Sequence, residues 1–163
     1  MPILLIVYHS LTGGTLQMAQ AFQAGAAAAG EVEVRLQHAS ATQSDEVLQA
    51  DGLVFATPEN LASISGMLKD FFDRCYYPAL DRIQGRPYAT LICAGSDGSN
   101  AARQIARIAT GWRLKPVAEP IIVCTHVQEP EAILAPKQIP PEELERCREL
   151  GEAMAAGLVM GVF

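Results

Sequence analysis

Five short segments dominated by apolar residues recur along the chain, each separated from the next by a stretch with helical spacing. They are Ile3–Tyr8, Glu31–Leu36, Gly52–Ala56, Tyr88–Cys93 and Pro120–Cys124. Apolar runs of this length fit strands buried on both faces, as in a parallel sheet covered by helices. The second segment departs from that pattern. Its Val32 and Val34 alternate with charged neighbours, which predicts an edge strand. Between the strands, Leu16, Ala19, Phe22 and Ala26 share one face of a first helix that Gly30 should end. Val47 and Leu48 mark a short second helix. Met67, Leu68, Phe71, Phe72 and Cys75 mark a third, and Ile105, Ile108 and Ala109 a fourth, stopped by Gly111. Leu144, Cys147, Gly151, Met154 and Leu158 stripe the last helix, which opens on Pro140-Pro141 with Glu142 and Glu143 in its first turn. This alternation predicts a single α/β domain over residues 1–163 with right-handed crossovers. One connection, His126 to Pro140, is longer than a strand-to-helix join requires; with Pro130, Pro136 and Pro140 limiting its freedom and Ile133 and Leu134 apolar in a polar stretch, it is expected to form a lid or a subunit contact at the C-terminal strand ends.

Composition narrows the function classes. Half the residues are hydrophobic, 18% are charged and the net charge is -6, so disorder is not expected. No stripe of Lys or Arg could neutralise nucleic-acid phosphates, and an anionic surface gives acidic membranes nothing to attract. No apolar run is long enough to span a membrane, and the opening residues read as a strand, not a signal peptide. Cys75, Cys93, Cys124 and Cys147 show no ligand spacing and read as reduced, mostly buried thiols of a cytoplasmic protein. His9, His38 and His126 do not cluster, so no metal site is expected. No Ser-His-Asp or paired-carboxylate constellation stands out, and no catalytic side chain is nominated.

The strongest chemical signal follows the first strand. Ser10, Thr12 and Thr15 supply hydroxyls around Leu11, Gly13 and Gly14, whose glycines permit a tight turn with exposed N–H groups. A helix starting there aims its unpaired N–H donors at the same spot. Strand, hydroxyl-rich glycine loop and helix N-terminus form a phosphate cradle that contains no Lys or Arg. The patterns GxxxxGK[ST] and GxGxxG both fail, because no Lys follows Gly14 and the two glycines are adjacent.

The stretch Ser10-Leu11-Thr12-Gly13-Gly14-Thr15 resembles the flavodoxin signature for the phosphate of flavin mononucleotide (FMN). After the third strand, Thr57-Pro58-Glu59-Asn60 and Ser63-Ile64-Ser65-Gly66-Met67-Leu68-Lys69 resemble the loop of NAD(P)H-dependent FMN and quinone reductases. The resemblance implies a flavodoxin-like α/β/α sandwich whose five-stranded parallel sheet has the order 2-1-3-4-5. Ligands of such sheets collect where the strand order reverses, beyond the C-terminal strand ends. Three loops should therefore meet there: Ser10–Thr15, Thr57–Gly66 and Ala94–Asn100. The resemblance assigns the isoalloxazine to Thr57, Pro58, Glu59, Asn60 and Leu61 on one side and Ala94, Gly95, Ser96, Asp97 and Gly98 on the other. Glu59 could anchor its own loop or face water, and Asp97-Gly98 could equally start the fourth helix.

Neither ring-side loop holds a Trp, Tyr or Phe, whereas electron-transfer flavodoxins commonly sandwich the flavin between aromatic rings. An uncovered ring face favours an oxidoreductase that takes hydride from NAD(P)H and passes electrons to a quinone, flavin or similar small-molecule acceptor. A partner subunit in a homo-oligomer could instead supply a ring, with Trp112, Tyr76 and Tyr77 as candidates. The alternatives are a one-electron flavodoxin carrier and a non-catalytic flavin-binding regulatory protein.

Overall fold

The computed structural model describes all of residues 1–163. Seven strands and six helices follow one another as β1 (Ile3–Tyr8), α1 (Gly14–Ala28), β2 (Glu33–His38), α2 (Ser44–Gln49), β3 (Gly52–Asn60), β4 (Ser63–Ile64), α3 (Gly66–Ala79), β5 (Pro87–Ala94), α4 (Ser99–Gly111), β6 (Lys115–Pro116), β7 (Ile121–Cys124), α5 (Pro130–Leu134) and α6 (Pro141–Met160). β2, β1, β3 and β5 lie side by side and parallel, and β6 and β7 both pair with β5 at successive points along it. The expected order 2-1-3-4-5 is the observed one, with the fifth position shared by two short strands. Tyr88 faces Pro116 and Leu91 faces Ile121, so the outer chain spends five residues where β5 spends three. Val117 N–H still donates to the Tyr88 carbonyl at 3.1 Å, and Pro120 has no N–H to offer the ladder.

Alternation along the strands builds two cores, one on each face of the sheet. Leu5, Val7, Leu53, Phe55 and Ile92 pack beneath α2, α3 and α4. Leu4, Ile6, Val54, Ala56 and Leu91 pack beneath α1 and α6. Trp112 belongs to the first core, 5% exposed, with its ring near Phe55, Phe71 and Phe72. Tyr77 stands 78% exposed on α3 beside Tyr76.

Two boundaries and one buried face differ from the sequence expectation. β2 lies at Glu33–His38, two residues beyond the expected segment, because Glu31 turns the chain with a φ of 57°. It is the partly exposed edge that its alternating pattern predicts. The first helix buries Met18 in place of Leu16, which is only half-buried. The third strand runs on to Asn60, since Glu59 and Asn60 pair antiparallel with Ile64 and Ser63. The expected loop after the third strand is therefore a β-hairpin whose tip is Leu61–Ala62.

Candidate functional site

A cleft of about 490 Å³ opens at the C-terminal ends of β1, β3, β5 and β7, within the size range of cofactor sites. Its wall takes Ser10, Leu11, Thr12, Gly14 and Thr15 from the first loop and Pro58, Glu59, Asn60 and Leu61 from the hairpin. Ala94, Gly95 and Ser96 come from the loop after β5. The topology thus brings the three expected loops to one cavity. Gly13, Thr57, Asp97 and Gly98 do not line it.

Each of those four has a visible structural task. Gly13 takes a φ of 93°, the left-handed turn that feeds α1. Thr57 Oγ1 accepts the Ser65 N–H at 3.1 Å and donates to the Pro58 carbonyl at 2.8 Å, joining the two legs of the hairpin. Asp97 Oδ1 accepts the Ser99 N–H at 3.2 Å, and the Ser99 hydroxyl first, with that N–H second, holds its carboxyl below the usual carboxylate range. Gly98 precedes α4 with a φ of 83°, where an added Cβ would lie 2.5 Å from Ile122 Cγ2.

At the phosphate end, Ser10 Oγ accepts the N–H groups of Gly13 and Leu16, at 3.1 and 3.3 Å, and fixes the loop's curvature. The N–H groups of Thr12, Gly14 and Thr15 find no acceptor within the protein. Three unpaired amides at a helix N-terminus, with Thr12 and Thr15 among the residues of the cleft wall, suit an anion with several acceptor oxygens. Gly14 lets the ligand side and the core side approach closely: a Cβ there would come 2.6 Å from Cys93 Sγ. The residues present fit the phosphate of FMN.

The stretch after β7 lies at the cleft, on the side of the sheet where the sequence places it, and adds residues that were not nominated from the sequence. Thr125, Val127, Gln128, Ile133 and Lys137 line the same cleft, together with Cys93 from β5. The long connection contains α5 and is strapped to the phosphate loop. Lys137 N–H donates to the Thr12 carbonyl at 2.9 Å. Gln17 Nε2 donates to the carbonyls of Gly13 and Lys137, and Gln17 Oε1 accepts the Ile139 N–H at 3.0 Å. The Lys137 ammonium donates to the carbonyls of Ala132, Ile133 and Ala135 at 2.6–2.8 Å, tying off the end of α5. The phosphate loop itself contains no cation, as the sequence shows, but this strap places one on the cleft wall. The length of the connection, its prolines and the apolar pair Ile133-Leu134 pointed to this stretch, but nothing in the sequence singled out Lys137.

No Phe, Tyr or Trp lines the cleft. Trp112 is core, and Tyr76 and Tyr77 lie on α3, outside the cleft wall. His9 sits just behind the first loop, its ring 5.6 Å from that of His38 in an edge-to-face arrangement. Burial first, and His38 second, hold its pKa below the usual histidine value. No helix is long and apolar enough to cross a membrane.

The family model for NADPH-dependent FMN reductase matches residues 36–128, a span that contains both the hairpin and the loop after β5. A flavodoxin of Aquifex aeolicus is 29% identical over 159 residues, covering 93% of this chain and 84% of that protein. An NAD(P)H dehydrogenase (quinone) of Acidithiobacillus ferrooxidans is 29% identical over 91 residues, 44% of this chain and 46% of that protein. This chain therefore aligns with less than half of the quinone dehydrogenase. Among solved structures, the flavodoxin, WrbA-like protein from Agrobacterium tumefaciens superposes with a TM-score of 0.78 at 18% identity, over 98% of this chain and 99% of that one. That likeness establishes the flavodoxin-like fold. The match to the reductase model covers more than half the sequence, and the chain belongs to the NADPH-dependent FMN reductase family.

Proposed function

We propose that the cleft binds FMN and that the protein passes electrons from NAD(P)H to a quinone, flavin or similar small acceptor. Binding rests on the unpaired amides of Thr12, Gly14 and Thr15, which the dianionic phosphate would satisfy. When bound, FMN supplies the hydride and electron chemistry, and the protein supplies orientation and access. Ser10 shapes the phosphate loop, while the hairpin and the loop after β5 would flank the ring. The observation that carries the reductase reading is the cleft wall without an aromatic side chain, which leaves a ring face open to a nicotinamide. A homo-oligomer and a cytoplasmic location are compatible with this reading.

A second reading, an electron-transfer flavodoxin, is favoured by the name of the Aquifex relative, which aligns over nearly the whole chain. One experiment separates the two. Purified protein is titrated with FMN and with riboflavin, then the loaded protein is mixed anaerobically with NADPH or NADH. FMN should bind the more tightly, and its visible absorption should fade with a nicotinamide and return on adding a quinone. Reduction by dithionite but by neither nicotinamide would favour the carrier. Equal affinity for riboflavin and FMN would overturn the phosphate assignment. Thr12→Ala with Thr15→Ala should weaken FMN at least tenfold, at about 1.5–3 kcal/mol per hydrogen bond to a charged group, and leave riboflavin nearly unaffected.

A further inference from the structure

Glu59 lies on the cleft wall, yet its carboxylate is occupied on the other side. Oε1 accepts the N–H of Gly98 at 2.9 Å and Oε2 accepts the N–H of Ala101 at 3.0 Å. These amides belong to the first turn of α4, which immediately follows the loop Ala94–Gly98. That turn is itself wedged in place, since Gly98 leaves no room for a Cβ against Ile122 and Ala94. Glu59 therefore grips a body that cannot easily yield.

Two further side chains of α4 extend the grip along the hairpin. Asn100 Nδ2 donates to the Ala62 carbonyl at 2.5 Å. Gln104 Oε1 accepts the Ile64 N–H at 2.8 Å, and its Nε2 bonds Ser63 Oγ at 3.3 Å. The tip they hold is strained. Leu61 and Ala62 adopt φ values of 49° and 60°, the mirror-image turn that glycine and asparagine normally occupy. Leu61 is fully exposed, so packing of its own side chain does nothing to stabilise that turn.

We infer that Glu59 is a positioning residue, which sets the separation of the two ring-side loops by clamping the hairpin to the start of α4. This rests on the reading that the cleft takes FMN, and it gives the ring half of the site a mechanical basis. Both carboxylate oxygens already hold protein N–H groups. Glu59 thus acts on the ring through the places it gives Pro58, Asn60 and Leu61 relative to Gly95 and Ser96. The charge matters as well as the shape, because an amide presents one acceptor and sets its own NH₂ against an N–H.

The test compares wild type with Glu59→Gln, using FMN and riboflavin as probes and reading affinity, the visible band of the bound flavin and its midpoint potential. Losing one charge-assisted bond should weaken both flavins by the same factor, about tenfold, with a shifted band and potential. Thr12→Ala serves as the contrast and should weaken FMN alone. Asn100→Ala keeps Glu59 and loosens only the tip, so it should move both flavins in the same direction by about threefold, and it stands in if Glu59→Gln does not fold. Unchanged affinity, band and potential in a folded variant would overturn the inference, as would a lowered melting temperature with flavin binding intact. So would a loss confined to FMN, which would put the effect at the phosphate. Wild-type protein that takes up neither flavin would overturn the cleft reading, and this inference with it.

Discussion

Gly14 and Cys93 meet across the wall of the cleft, so closely that a Cβ on Gly14 would stand 2.6 Å from the Cys93 sulfur, with Ile139 Cδ1 at 3.4 Å behind it. Gly14→Ala should therefore cost about 1–3 kcal/mol through overpacking and displace the first turn of α1. Urea denaturation and FMN titration should both register the change. Adding Cys93→Ala, which removes the sulfur, should recover most of both losses. No recovery in the double variant would mean that the glycine serves the backbone alone.

Lys137 is the single cation on the cleft wall. Lys137→Met removes the charge and the three carbonyl bonds that close α5. The ratio of FMN to riboflavin affinity should fall two- to tenfold, about 0.5–1.5 kcal/mol for one partly solvated charge acting on a dianion. The difference should shrink in high salt. A ratio unchanged at low salt would leave Lys137 as a fastener of the strap only.

Ile133 lines the cleft and Leu134, 69% exposed, does not. The adjacent apolar pair thus divides into two tasks. Ile133→Ser should raise the acceptor KM several-fold with FMN affinity unaltered, while Leu134→Ser should leave steady-state kinetics unchanged. A response to Leu134→Ser in sedimentation velocity would identify it as part of a contact between copies.

The buried thiols impose an alkaline limit on stability. Burial pushes the Cys75 thiol up to about 11 and the Cys147 thiol up to about 12, while an unfolded thiol ionises near 8.5. Between about pH 9 and pH 11 these two thiols hold up to two protons that they would lose in the unfolded chain. Stability should therefore fall as pH rises there, by up to ~2.7 kcal/mol per pH unit. Urea midpoints at pH 7, 9.5 and 10.5 measure the slope, and Cys147→Ala should make it shallower.

The sequence made the layers and the position of the long connection legible, and left the fastening of that connection and the clamp hidden, for physical reasons. Strand runs such as Ile3–Tyr8 and Gly52–Ala56 announce themselves because burial on both faces excludes polar residues. The phosphate loop is equally readable, since its chemistry is local: a glycine turn, hydroxyls and a helix start lie within six residues. Glu59 was not readable in the same way, because its partners Gly98 and Ala101 are about forty residues away and are backbone amides, which carry no sequence signature. Lys137 was hidden likewise, since it reaches the cleft only because Gln17 and Thr12 hold its backbone. The hairpin was obscured by its own tip, where Leu61-Ala62 stands in a turn that Asn-Gly would have advertised.

The divided outer edge of the sheet governs how copies of this protein can come together. An intact border strand offers a row of unsatisfied amides and carbonyls on which another chain can template itself. Here that row is interrupted between Pro116 and Ile121, and two of its positions are prolines. The opposite border, β2, carries Glu33 and Arg35 as an ion pair on its exposed flank. Both margins are blunted against lateral growth, which disfavours edge-to-edge pairing of two copies.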